Sequence, residues 1–168
     1  MKILSDEYIN DLVAERKIAK GLSLAKLSPK DKPNSTHKAS SIDMDGENGN
    51  LFRVNIRQSK ENVLDFSIIL ILRDKETNQE FKIARYNGRH ASQHTNKLEK
   101  AQGEPNYRFG PCFHKHKATQ RYQEAGFKIE GYAEETSEYN DLYSALDVFI
   151  HDFNIVNGDE QKQPDLFH

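Results

Sequence analysis

LFRVNIRQSKENVLDFSIILILRDKETNQEFKIARY, residues 51–86, is the stretch that decides the fold. From Leu51 to Gln58, Phe52, Val54 and Ile56 alternate with Arg53, Asn55 and Arg57, the period of a half-buried strand. Val63–Leu72 is the most apolar run of the chain and reads as a central strand. Asp74–Gln79 is polar hairpin chemistry. Phe81–Tyr86 then resumes the sheet, and simple alternation predicts Phe81, Ile83 and Arg85 on one face. Connections this short favour antiparallel neighbours.

Working outward, GENGN at 46–50 is a turn, because Gly and Asn adopt positive φ cheaply, and His37–Asp45 before it is a further strand candidate. Residues 28–37, with two prolines and small polar side chains, read as an exposed loop. Ser5 is placed to cap a helix running to about Lys20, with Tyr8, Ile9, Leu12, Val13 and Ile18 on its apolar face and Gly21 to stop it. On the C-terminal side, 87–106 is a long polar loop with one helical turn near Asn96–Lys100. Tyr107–His116 reads as a last strand, Thr119–Ala125 as a short helix, and GFKIEGYAEE as a turn or short extended piece. From Glu138 to Asn154 apolar residues recur every three or four positions, the clearest helix in the chain. The expectation is an α+β domain over 1–156: an N-terminal helix, an antiparallel β-meander of four to six strands, and a C-terminal amphipathic helix packed on the sheet. Residues 157–168 read as a flexible tail.

The 168 residues suit one ordinary domain. With 30% charged and 36% hydrophobic residues the chain is wet, but 9 Phe and 7 Tyr supply core bulk. No apolar run spans a bilayer, the N-terminus lacks a signal-peptide core, and the single cysteine excludes an internal disulfide framework. A soluble cytoplasmic protein with no membrane partner is expected. The net charge of −2 conceals an asymmetry. Residues 81–122 hold nine basic and two acidic side chains with four of the seven histidines, whereas 123–168 hold two basic and eleven acidic ones. A local positive field attracts anions, a phosphate backbone among them. Alternatively, the acidic segment folds against the basic block and neutralises it.

Within the basic block, Arg85-Tyr86-Asn87-Gly88-Arg89-His90 precedes His94-Thr95-Asn96-Lys97, and His114-Lys115-His116-Lys117 precedes Arg121 and Tyr122. On a strand, His114 and His116 share a face. If the clusters meet, His90, His94, His114 and His116 supply an acid and a base for metal-free RNA cleavage near neutral pH. Tyr86 and Arg121 complete that catalytic set. Arg85, Asn87, Arg89, Asn96, Lys97, Arg108, Lys115, Lys117 and Tyr122 are the candidate nucleic-acid contacts. His94, His114 and His116 serve equally as three zinc ligands, although the shortage of carboxylates argues against a two-metal nuclease. The bland reading is a solvated His-Lys-His-Lys edge strand. Cys112 reads as a small apolar residue, and Gln163–Phe167 (QPDLF) is similar to the peptide by which bacterial proteins dock on the replication sliding clamp.

The stretch RYNGRHASQHTNKLE…CFHKHKATQRYQEAGFKIEGYAEET…LYSALDVFI resembles a bacterial family of similar length catalogued as a domain of unknown function. More distantly, Arg85-Tyr86-Asn87, the downstream histidines, His-Lys-His and a terminal helix are similar to TumE-type toxins of toxin–antitoxin modules, although Asn87-Gly88 stands where those carry Asp-Asn. The architecture is also similar to RelE-type ribonuclease toxins. The resemblance implies a toxin-like, RNA-directed activity; joined to the histidine cluster it gives the expectation of an endoribonuclease that works without metal, with RNA or a nucleoprotein complex as target and a cognate antitoxin as partner. The alternatives are a non-catalytic nucleic-acid-binding inhibitor from a mobile element, and a histidine-ligated zinc domain.

Overall fold

Alternating apolar residues over 51–58 bury one face of a sheet, and the continuous apolar run 66–72 adds Ile69 and Ile71 to the other face, which is otherwise polar. The computed structural model describes residues 2–159. The chain runs α1 (Asp6–Ala14), β1 (Lys17–Ala19), α2 (Leu24–Leu27), β2 (Lys30–Asp31), β3 (His37–Gly46), β4 (Leu51–Ser59), β5 (Phe66–Arg73) and β6 (Glu80–Asn87). It continues with β7 (His94–Thr95), α3 (Lys97–Ala101), β8 (Arg108–Phe109), β9 (His114–Lys117), α4 (Gln120–Glu124), β10 (Tyr132–Glu135), α5 (Leu142–Asp152) and β11 (Ile155–Asn157).

The expected α+β architecture is present, with β3–β6 as an antiparallel meander and α5 against the sheet. The main sheet is larger than expected. Its order is β10-β9-β6-β5-β4-β3-β1-β11, with β2 also on β3, nine strands among the described residues. Among the described residues, only β1 and β11 pair in parallel. Phe52, Val54, Ile56, Ile68, Leu70, Leu72, Phe81 and Ile83 form the core with Leu12 of α1 and Leu142, Leu146, Phe149 and Ile150 of α5. Burying one such side chain contributes about 1.5–3 kcal/mol, so the helices are held chiefly by their apolar stripes.

Three expectations need correction. The first helix ends at Ala14 and not near Lys20, because Lys17–Ala19 is drawn into the sheet between β3 and β11. The span 107–116 is not one strand. It breaks at Gly110, whose φ of 98° turns the chain between β8 and β9. The domain continues past 156, since Asn157 pairs with Ala19 in β11. The sliding-clamp-like stretch Gln163–Phe167 lies outside the described residues. No helix among the described residues is long and apolar enough to cross a membrane.

The feature that matters most for the site is a β-bulge. The pairing of β5 with β6 shifts between Leu70 and Ile71, so that Leu70 faces Ala84 while Ile71 faces Lys82. Ile83 is the extra residue, and it and Ala84 are both buried towards the core. A bulge reverses the parity of everything beyond it. Arg85 and Asn87 therefore lie on the face opposite Phe81 and Ile83, contrary to the simple alternation, and Tyr86 lies in the core.

Candidate functional site

Cross-strand register builds the site. Beyond the bulge, Arg85 pairs with His116 and Asn87 with His114, so all four share the face turned away from α5. The same rows continue across the open face: His114, Asn87, Ser67 and Arg57 in one, His116, Arg85, Ile69 and Asn55 in the next. The loop after β6 then folds back over this face. Gly88 permits the turn, because a Cβ there would stand 2.0 Å from the Leu64 carbonyl oxygen. The loop forms the small β7–β8 ribbon, in which His94 pairs with Phe109. Asn96 pins the ribbon to the edge of the main sheet: its Nδ2 donates to the Ala133 carbonyl at 3.0 Å, and its Oδ1 accepts from the Ala133 amide at 2.9 Å.

The result is a cleft of about 560 Å³ whose lining includes His90, His94, His114 and His116, with Arg85, Asn87, Lys97, Lys128 and Glu130 around them. The ring centroids of His94 and His116 are 4.8 Å apart, those of His114 and His116 5.1 Å, and those of His94 and His114 5.5 Å. One ring nitrogen from each of these three lies within 4.8 Å of the others, close enough to hold a metal ion after a small closure. The ring of His90 is 6.1 Å from that of His114.

Hydrogen bonds set the tautomers. Nδ1–H of His114 donates to the Cys112 carbonyl at 2.9 Å, and Nδ1–H of His116 donates to the Glu130 carbonyl at 2.9 Å. Nε2–H of His94 donates to Asn96 Oδ1 at 2.8 Å, and the two Ala133 bonds fix the orientation of that amide. Each imidazole therefore presents a lone pair on its other nitrogen: Nε2 of His114 and His116, Nδ1 of His94. Burial, reinforced by the neighbouring imidazoles and the Arg85 guanidinium, pushes His114 down to about 4 and His116 to about 3. Burial also lowers His94. All three are neutral at pH 7.

Three cations face one carboxylate in this lining. Arg85 is ion-paired with the buried Glu130, whereas Lys97 and Lys128 have no ion-pair partner among the described residues. The side chains of the cleft thus carry a positive balance. The donor set suits a borderline-soft divalent ion such as zinc: three neutral imidazoles, each oriented by a second acceptor, as metal-binding histidines are.

The other expected site residues lie elsewhere. Tyr86 is 5% exposed, stacked on Tyr139 at 5.9 Å and hydrogen-bonded to Asp152 beneath α5. Burial pushes its phenol far above the usual range, so it is a core residue and not a catalytic one. Lys115 and Lys117 alternate with the histidines and point to the opposite face, Lys115 to Glu138 and Asp152, Lys117 over the Tyr132 ring. Arg121 does not reach the cleft; it bridges to Glu99 at 2.6 Å and stacks on Tyr122 and Tyr132. Tyr122 lines the cleft but is 1% exposed, its hydroxyl donating to Glu99, so it is packed and not free to stack on a base. Arg89 and Arg108 are not among the lining residues, and Asn96 is a buried tie. Cys112 is half-buried, and burial pushes its thiol up.

Sequence reasoning missed Gln93, Thr95, Lys128 and Glu130. The last two sit in a turn between α4 and β10, where no periodicity links them to β6. Gly131 beside them packs so closely that a Cβ there would meet the Tyr122 ring at 2.8 Å, a constraint that the sequence does not display. No protein-family model, curated protein or solved structure matches the chain.

Proposed function

We propose that the cleft is a three-histidine metal centre, with zinc as the ion, that hydrolyses phosphodiester bonds in a single nucleic-acid strand. The observation that carries this reading is the convergence of the imidazoles: His94, His114 and His116 each hold one N–H on a fixed acceptor, which leaves the other nitrogen unprotonated, and one ring nitrogen of each lies within 4.8 Å of the others. Burial keeps His114 and His116 neutral, the form that binds metal and not the form that hands a proton to a leaving oxygen. That favours the metal over the metal-free acid–base scheme. A bound zinc would polarise a phosphoryl oxygen and lower the pKa of a coordinated water. The residues of the chain do the rest. Lys97 and Lys128 attract the phosphate, and Glu130 holds Arg85 at the cleft wall as a neutral ion pair that still offers guanidinium N–H donors. The open face beyond the cleft carries Arg57 and Lys82, both exposed and without an ion-pair partner among the described residues, which suits a strand lying across the sheet.

The test is metal analysis joined to cleavage of a single-stranded fluorogenic RNA. The expected outcome is one equivalent of zinc per chain, activity lost in EDTA and restored by zinc, and loss of both on His116→Ala with an unchanged circular dichroism spectrum. Cleavage by zinc-free protein in EDTA would return the site to acid–base chemistry. Stoichiometric zinc with salt-sensitive RNA binding and no turnover would make the protein a non-catalytic binder.

A further inference from the structure

Asn87 has an unusual set of hydrogen bonds. Its side-chain nitrogen is 3.2 Å from His114 Nε2. Because His114 gives its one proton to the Cys112 carbonyl, Nε2 can only accept, and Asn87 must donate. The consequence falls on the other end of the amide. Oδ1 is buried and accepts from no partner, a situation that costs about 1–3 kcal/mol. An amide that leaves its oxygen idle in order to cap an imidazole lone pair is arranged for a second state.

We propose that Asn87 is a fourth, reversible metal ligand. In the arrangement described above its NH2 group satisfies His114 Nε2. When an ion takes that lone pair, the amide turns over and directs Oδ1 to the ion. Three arguments converge on this. Ligand atoms about 2.0–2.1 Å from a tetrahedral ion stand roughly 3.3 Å apart, and the amide atom facing His114 is already 3.2 Å from Nε2. An NH2 group facing a dication is repelled, whereas the carbonyl end of the same dipole is attracted. Finally, Asn87 shares its sheet face with His114, His116 and Arg85, so no backbone movement is needed to bring it to the ion.

The ligand set so formed is neutral throughout. The ion keeps its full double charge in a cleft already rich in cations, which selects an anionic ligand over a neutral one. A neutral amide oxygen is also the weakest of the four ligands. It is therefore the one that a water or an anionic phosphoryl oxygen would displace, which opens the position that the hydrolysis needs.

This rests on the metal reading above, and cobalt(II) titration followed by visible absorption separates the two. Wild-type protein is expected to bind one cobalt with the intense bands of a four-coordinate site. Asn87→Ala is expected to weaken binding about ten- to hundredfold and to shift those bands and make them depend on pH, because an ionisable water takes the fourth position. Asn87→Asp, which keeps an oxygen at the same place, is expected to bind at least as tightly as wild type. Wild-type affinity and an unchanged spectrum in Asn87→Ala would overturn the proposal while leaving the three-histidine centre standing. Failure of the folded wild type to bind cobalt at all would overturn both. Asn87→Asp also guards against misreading a folding defect, since it preserves shape and restores the ligand.

Discussion

Lys17 carries a charge with no solvent exposure. Its Nζ donates to the carbonyls of Val13 at 3.1 Å, Glu15 at 2.8 Å and Phe153 at 2.8 Å, and lies 4.8 Å from the Phe52 ring centroid. One ammonium thus ties the end of α1 and the end of α5 to β1. Burial pushes its pKa down to about 8 from 10.5. The unfolded chain holds this proton to higher pH than the folded one, so between about pH 8 and 10.5 the stability contributed by Lys17 rises with pH; below 8 both states are charged and the contribution is flat. Urea denaturation of wild type against Lys17→Met should show the variant weaker by about 1–3 kcal/mol at pH 7, because three buried carbonyls lose their donor. The gap should widen from pH 8 to 10, and a gap that narrows would refute the assignment. None of this was legible in the sequence, where Lys17 reads as an ordinary helix-end lysine. Its role depends on Phe153, which lies 136 residues away in the chain.

At the scale of elements, legibility followed length and regularity. The stripe from Leu142 to Phe153 was readable because burial at every third or fourth residue is what a helix on a sheet requires, and α5 packs as that spacing predicts. Its start is less legible. Asp141 accepts from the Ser144 amide at 2.7 Å, and the Ser144 hydroxyl in turn accepts from the Asp141 amide at 3.2 Å, a reciprocal cap. Asp141→Ala should cost about 1 kcal/mol and lower the thermal midpoint by about 2–4 °C, with Asp141→Ser restoring most of it; calorimetry decides. The bulge at Ile83 shows the opposite case. Ile83 and Ala84 are both apolar, so the sequence is compatible with either parity beyond them, and only pairing with β5 selects one. That single extra residue sends Tyr86 to the core and Arg85 and Asn87 to the cleft.

For the whole molecule, the governing fact is that helices α1 and α5 cover one face of the meander and leave the other, polar apart from Ile69 and Ile71, without a helix of its own. The cleft opens at one end of that polar face, and Arg57 lies in the same cross-strand row as His114, three strands away. Lys82 stands on the same open face in another row, opposite Ile71, so Arg57 and Lys82 mark two sides of the surface that a nucleic-acid strand longer than the cleft would cross. The double variant Arg57→Glu/Lys82→Glu should therefore bind a single-stranded RNA more weakly. It should also flatten the dependence of log K on log salt by about 1.4, roughly 0.7 for each phosphate that is no longer neutralised, with zinc content unchanged. Fluorescence anisotropy over a salt series measures this, and an unchanged slope would confine recognition to the cleft.

The sequence by itself determined the meander, the C-terminal helix and the concentration of imidazole and positive charge in one block, since these follow from local periodicity and composition. Tertiary structure alone decided which of those side chains converge. Short strands such as β1 and β11 form only because neighbours complete their hydrogen bonds, and the bulge chooses its parity from the strand beside it. The lone pairs of His94, His114 and His116 are aimed by acceptors at Asn96, Cys112 and Glu130. Interactions of that kind depend on spatial neighbours, and a one-dimensional pattern does not carry them.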